Sequence, residues 1–266
     1  MPEALEVRHL HVSYGPKEVL RDLSFSIVKS DFGASNHKRG EICAVLGRNG
    51  SGKSTLLRAI CGLIPFTGSI RVSGQDISSL TYRARAMEIS YMSAMQTDVP
   101  PITAGQAVEM GFYPLLGLLE APGEEKKQKA RSEMERLGID RLAHRQLSQL
   151  SGGERQLVMF ARALVRETSL MVLDEPDSAL DLQHQRVLME ILRERAEMGI
   201  STILSSHHVN SMLYHADRLL LLESGILKAD IRLKDVDEQT LRDALSSIYG
   251  SAVLIPFRDR YQMAEV

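Results

Sequence analysis

Gly47-Arg48-Asn49-Gly50-Ser51-Gly52-Lys53-Ser54-Thr55 is the stretch on which both the fold and the chemistry turn. It fits G-x-x-x-x-G-K-[ST], the spacing of a phosphate-binding loop. In such a loop glycines let successive backbone N–H groups face inward around phosphate oxygens, while a lysine and a hydroxyl reach the terminal phosphates and Mg²⁺. The flanks agree. Ile42-Cys43-Ala44-Val45-Leu46 is a short apolar run expected to be a buried strand, and residues 55–61 are expected to form a helix stopped at Gly62. A helix N-terminus would then point at the bound anion. Alone, the loop specifies a nucleotide phosphate and nothing about its use.

Upstream, residues 5–8 and 23–27 alternate apolar and polar around the turn signal Tyr14-Gly15-Pro16, which predicts an antiparallel β-meander leading into the loop. Tyr14 precedes the turn, where its ring can stack on a purine or simply half-bury on a strand. Residues 29–39 have no periodicity and read as an extended hairpin loop, with His37 a solvated loop residue.

Downstream, residues 69–72 read as a strand, Gly74-Gln75-Asp76 as a turn and residues 89–92 as a strand whose segment ends near Gln96. The composition then changes. Pro100-Pro101, Pro114 and a charged helix over 124–137 mark a helical insert, roughly 97–165. The α/β pattern resumes with the apolar strand Leu170-Met171-Val172-Leu173 ending in Asp174-Glu175. A helix over 182–198, a strand over 200–206, the pair His207-His208 and a strand over 218–222 follow. Strands alternating with helices predict a parallel sheet with its ligands at the carboxyl ends of the strands, where Gly47, Asp174 and His207 all fall.

Composition narrows the function. The chain has 266 residues, 44% of them hydrophobic, enough for one sizeable core, and its net charge of −2 gives no electrostatic case for nucleic acid. The two cysteines, Cys43 and Cys61, allow no disulfide framework and read as free buried thiols. Residues 1–10 lack the apolar segment of a signal peptide, and no run approaches the ~18 apolar residues of a membrane span, so any membrane role needs a second chain.

Phosphoryl transfer needs held phosphates, a metal and an oriented water. Lys53 is the candidate for the β/γ-phosphates, Ser54 and Asp174 for Mg²⁺, and Glu175 for the water. His207 is a candidate donor to the γ-phosphate, and Gln96 can reach metal or water through its amide oxygen. Leu150-Ser151-Gly152-Gly153-Glu154-Arg155-Gln156 opens the apolar-periodic segment 157–164 and builds a second anion-binding helix N-terminus. Two such ends in one chain suggest that each serves a nucleotide held by a partner subunit.

The 47–55 loop, Gln96, LSGGERQ at 150–156, LMVLDEP at 170–176, SALD at 178–181 and His207 stand in the order of the motifs of ABC-type ATPase subunits, which this chain resembles from about Tyr14 to Glu223. The resemblance implies an α/β fold: a P-loop NTPase (RecA-like) parallel-sheet core with an N-terminal antiparallel β subdomain and an inserted α-helical subdomain. The divisions expected are 1–96, 97–165, 166–228 and a C-terminal extension over 229–266, with a single ATPase domain over 3–240. It further implies ATP and Mg²⁺ as cofactors and a head-to-tail dimer of two copies. Tyr14 would stack on adenine, and the nucleotide would lie in the 47–55 loop. Ser151, Gly152, Gly153 and Glu154 would close over the partner's ATP, with Asp181 at the interface and Gln96 linking the site to a membrane permease.

Gly111-Phe112-Tyr113-Pro114 and Ser247-Ile248-Tyr249-Gly250 are similar to segments of ATPase subunits of importers for iron-siderophore complexes, haem or vitamin B12. On that reading the chain works at the cytoplasmic face of the cell membrane as a peripheral subunit. It would join an integral permease and, through it, a substrate-binding protein, with no nucleic-acid partner. Residues 96–119 would form the docking region. Asp177 departs from the family by adding a carboxylate beside Glu175, expected to raise its pKa, and His208 replaces the usual aspartate. The alternatives are a soluble ABC ATPase acting on nucleic acid or ribosomes, disfavoured by one motif set and no basic face, and a P-loop small-molecule kinase, disfavoured by LSGGERQ.

Overall fold

The fold is seen in a computed structural model that describes residues 3–31, 38–94, 100–117, 120–258 and 260–264. In chain order, the hairpin β1 (Glu3–Tyr14) and β2 (Lys17–Val28) is followed by the two-residue strands β3 (Ser30–Asp31) and β4 (Lys38–Arg39). Next come β5 (Ile42–Leu46), α1 (Lys53–Ile60), β6 (Thr67–Val72), β7 (Gln75–Asp76), α2 (Tyr82–Glu88) and β8 (Ile89–Met92). Helices α3 (Ala104–Glu109), α4 (Glu124–Arg136) and α5 (Gly152–Leu164) then intervene. Beyond them stand β9 (Leu170–Asp174), α6 (Leu182–Glu197), β10 (Ser201–Ser205), α7 (Val209–His215), β11 (Arg218–Glu223), β12 (Ile226–Arg232), α8 (Glu238–Tyr249) and the hairpin β13 (Val253–Phe257) and β14 (Arg260–Ala264).

The six-stranded sheet has the order β12-β11-β5-β10-β9-β8, parallel throughout except for β12. Strands β5, β9 and β10 are buried at every position, as expected when helices or a second sheet cover both faces. Strand alternation then divides the core in two. Ile42, Ala44 and Leu46 of β5 point into one cluster with Phe112, Phe160 and Leu188. Cys43 and Val45 point into the other, with Leu56 and Leu57 of α1 and the inward residues of the antiparallel sheet β2-β1-β6-β7. The parallel sheet is thus clamped between the α1/antiparallel-sheet layer and the layer holding the inserted helices.

Two details depart from the sequence reading and a third agrees with it. Helix α1 begins at Lys53, two residues early, because Gly52 at φ +107 supplies the left-handed N-cap. The segment 74–76 is not only a turn, since Gln75 and Asp76 pair with Val72 and Arg71. The 29–39 hairpin is present as the β3–β4 pairing, and its tip, with His37, lies outside the described residues.

Candidate functional site

The phosphate loop leaves β5 at Gly47, with φ +156. A Cβ there would stand 2.1 Å from the Leu222 carbonyl oxygen of β11 and 2.7 Å from Ser51 Oγ, so a side chain would push the loop off the sheet. Lys53 is buried, and its Nζ donates to the Gly47 carbonyl at 2.8 Å and the Arg48 carbonyl at 3.3 Å. Burial lowers its pKa, and the nearby Glu175 and Asp174 carboxylates oppose that shift.

Asp174 ends β9, fully buried. Its Oδ1 accepts from Ser54 Oγ at 3.0 Å and from Ser205 Oγ at 2.7 Å, which joins the phosphate loop to the two neighbouring strand ends. Its Oδ2 is buried without a partner, as is Ser51 Oγ. Among the described residues no cluster of three or more His, Cys, Asp and Glu could hold a metal ion. Mg²⁺ needs none, since it takes one or two protein oxygens and completes its octahedron from phosphate and water. The Ser54 hydroxyl and the orphan oxygen of Asp174 suit that ion.

Glu175 follows with φ +51, a left-handed conformation that costs a non-glycine residue energy and persists only where its surroundings hold it. Three bonds do so. Its N–H donates to Ser205 Oγ at 2.9 Å, and its carbonyl accepts from Gln156 Nε2 at 2.6 Å and from Ser178 Oγ at 3.1 Å. This turn aims the carboxylate at His207, whose Nε2 lies 2.5 Å from Oε1.

Ser151 caps α5 in a capping box: its Oγ accepts the Glu154 N–H at 3.2 Å, and Glu154 Oε2 accepts the Ser151 N–H at 3.0 Å. The Ser151 N–H and hydroxyl, both donating to the Glu154 carboxylate, hold it below its usual range. A Cβ on Gly153 would meet the Ala179 carbonyl oxygen at 2.7 Å, and Gln156 Oε1 accepts the Ala179 N–H at 3.0 Å. The start of α5 is therefore seated on the 175–181 segment. Asp181 caps α6 through the His184 N–H at 2.9 Å, and Leu182 beside it is 85% exposed.

Lys53, Ser54, Asp174, Glu175 and His207 are thus brought together by the strand ends. Tyr14 stands apart on the β1–β2 turn, 47% exposed; Gln96 lies outside the described residues. Ser205, Gln156 and Ser206 are not among the sequence candidates, since each gains its role from a partner distant in sequence. Asp177 is buried, with Oδ2 accepting from Ser206 Oγ at 2.6 Å, while that same oxygen of Ser206 accepts the His208 N–H at 3.0 Å. Burial raises the pKa of Asp177, opposed by the Ser206 bond and the His208 charge.

A groove of about 310 Å³ opens between the end of α2 and the inserted helices, with Met87, Phe112, Leu115 and Val165 as its apolar wall and Lys126 and Glu167 at its polar margin.

A glycine-turned loop on a helix start, a buried lysine, a hydroxyl–carboxylate pair and a strand-end glutamate define a P-loop ATPase site. The chain belongs to the ABC transporter family, whose model matches residues 34–178. It is 35% identical over 225 residues to the zinc transport system ATP-binding protein TroB of Treponema pallidum, covering 84% of this chain and 80% of that protein. It is 33% identical over 258 residues to the hemin import ATP-binding protein HmuV of Photobacterium profundum, covering 95% and 87%. A chain described as part of a metal-chelate type ABC transporter in an inward-facing conformation superposes with a TM-score of 0.78 at 25% identity, covering 99% of this chain and 97% of that one. The chain is accordingly an ABC-type ATPase.

Proposed function

We propose that this chain is the ATP-hydrolysing subunit of an importer for a metal-chelate cargo such as haem, an iron-siderophore complex or cobalamin. The observation that carries the reading is the extent of the likeness. The hemin-import relative matches 95% of the chain and the metal-chelate transporter 99%, against 84% for the zinc relative.

In this reading the 47–55 loop wraps the ATP phosphates and Lys53 gives up its two loop carbonyls for the β/γ-phosphates. Tyr14 stacks on adenine. Mg²⁺, held by Ser54, Asp174 and Gln96, would neutralise charge on the phosphates. Glu175 orients and deprotonates the attacking water, and His207 donates to the γ-phosphate. The capping box of Ser151 and Glu154 fixes the start of α5, and Ser151, Gly152, Gly153 and Glu154 would meet a second copy's nucleotide, with Asp181 at that interface. Dimeric cassettes among the similar structures support the pairing.

Among the described residues no helix is long and apolar enough to cross a membrane. As the ATPase subunit of such an importer, the chain would act as a peripheral subunit on the cytoplasmic face. The groove at Phe112 and Leu115 would receive a helix of the permease, and a substrate-binding protein would deliver cargo on the far side. The proposed divisions of the chain are 1–96, 97–165, 166–228 and 229–266.

The test is reconstitution in liposomes with the permease of a haem, siderophore or cobalamin importer. ATP-dependent inward movement of labelled cargo, lost with Glu175→Gln, is expected. Failure to bind any of these permeases, while binding a zinc permease, would overturn the cargo reading.

A further inference from the structure

His207 is followed after one residue by α7, a helix of seven residues with no side-chain cap at its N-terminus. So short a helix is not stable by its own hydrogen bonds, and its position is set by what it packs against. Inward it buries Val209, Met212 and Leu213. On another side it lies against the β13–β14 hairpin, which holds it at three places. Asn210 exchanges two hydrogen bonds with the backbone of Met263: its Nδ2 donates to the carbonyl at 3.0 Å, and its Oδ1 accepts the N–H at 2.7 Å. Arg258 donates to Tyr214 Oη at 2.7 Å, and Arg260 donates to the Ala216 carbonyl at 3.4 Å.

The Asn210 contact is the one nearest the chemistry. It stands three residues after His207, and the Val209 N–H between them donates to the His207 carbonyl at 3.2 Å. Met263 pairs with Leu254 in the hairpin, yet both its backbone groups go to Asn210. In an antiparallel ladder such outward-facing groups belong to a non-hydrogen-bonded pair, so the contact takes nothing from the hairpin and serves α7 alone.

We propose that Asn210 is a positioning residue for hydrolysis, through which the C-terminal hairpin fixes the start of α7 and hence the reach of His207 toward Glu175 and the γ-phosphate. The inference rests on the roles proposed above for His207 and Glu175. Asn210 itself touches no reacting group. A small misplacement of a catalytic group is enough to lower turnover without weakening substrate binding.

The test uses the full-length chain with Asn210→Ala and Asn210→Gln, alone and with His207→Ala. Asn210→Ala is expected to lower kcat about tenfold while fluorescent-ATP affinity and the thermal midpoint hardly move, and Asn210→Gln, with the same amide one methylene farther out, to recover part of the loss. In the His207→Ala background Asn210→Ala should add no further loss, because the effect passes through the absent imidazole. Unchanged kcat in folded Asn210→Ala, or a full further loss in the double variant, would overturn the inference and leave the role of His207 standing. A His207→Ala chain with normal kcat would remove the role of His207 and the inference with it.

Discussion

Nε2 of His207 stands 2.5 Å from Oε1 of Glu175, and Glu175 reaches it from a left-handed backbone at φ +51. The pair joins the ends of β9 and β10, 32 residues apart in the chain. It places the imidazole directly against the Glu175 carboxylate at the two strand ends.

Because Glu175 is assigned to the water, Glu175→Gln should retain ATP binding and lose turnover by about 100-fold or more, the usual contribution of a positioned base. ATP should then drive the variant to a dimer on size exclusion. Phosphate release at the unmodified rate would rule out the assignment.

Lys53 already directs its ammonium at two loop carbonyls. Lys53→Ala removes the cation that would meet the β/γ-phosphates and leaves the Gly47 carbonyl without its donor. Fluorescent-nucleotide titration should show ATP affinity weakened by at least about tenfold, one lost charge-assisted contact being worth roughly 1.5–3 kcal/mol. Equal affinity would contradict the assignment.

Gln156 is buried and bridges the Glu175 carbonyl and the Ala179 N–H. Gln156→Ala strands the Ala179 donor and frees the strained turn, so denaturant unfolding should report a loss of about 1–3 kcal/mol. Turnover should fall in the same variant as Glu175 loses its fixed backbone. A loss of stability with kcat intact would show that this bridge serves folding alone.

Asp177 makes stability depend on pH. Its folded pKa is raised above the ordinary 3.8 by burial, so between the two values the native chain binds more protons than the unfolded chain. Stability from this group is therefore greatest in acid, falls as pH rises through that window, and stays lowered above it. Asp177→Asn carries no such charge. Its thermal midpoint relative to the unmodified chain should rise from pH 4 to pH 7.5, and a difference independent of pH would mean that Asp177 is not the group responsible.

Much of the site was legible because its residues lie in contiguous motifs. The spacing of Gly47, Gly52, Lys53 and Ser54 is a backbone geometry written locally, and apolar runs ending in Asp174-Glu175 and His207 mark strand ends where a parallel sheet presents ligands. Ser205 and Gln156 were not legible as site residues: one is a serine in a buried strand, the other a glutamine in a helix, and each gains its role from a partner far away in sequence. The Asp177 carboxylate is legible in the sequence, but its burial, which raises its pKa, is not.

The sequence by itself determined the phosphate loop, the two helix N-terminal motifs and the alternation of strands and helices, since these follow from steric and hydrogen-bonding rules acting over a few residues. Only the tertiary structure decided that Asp174 leaves one oxygen unpartnered beside Ser54, that Glu175 is turned toward His207, and that the C-terminal hairpin is bound to Asn210. Those relationships depend on which strands lie side by side and on how much water each group loses. Both are properties of the packed chain, set by contacts between segments more than a hundred residues apart such as Ser54 and Asp174.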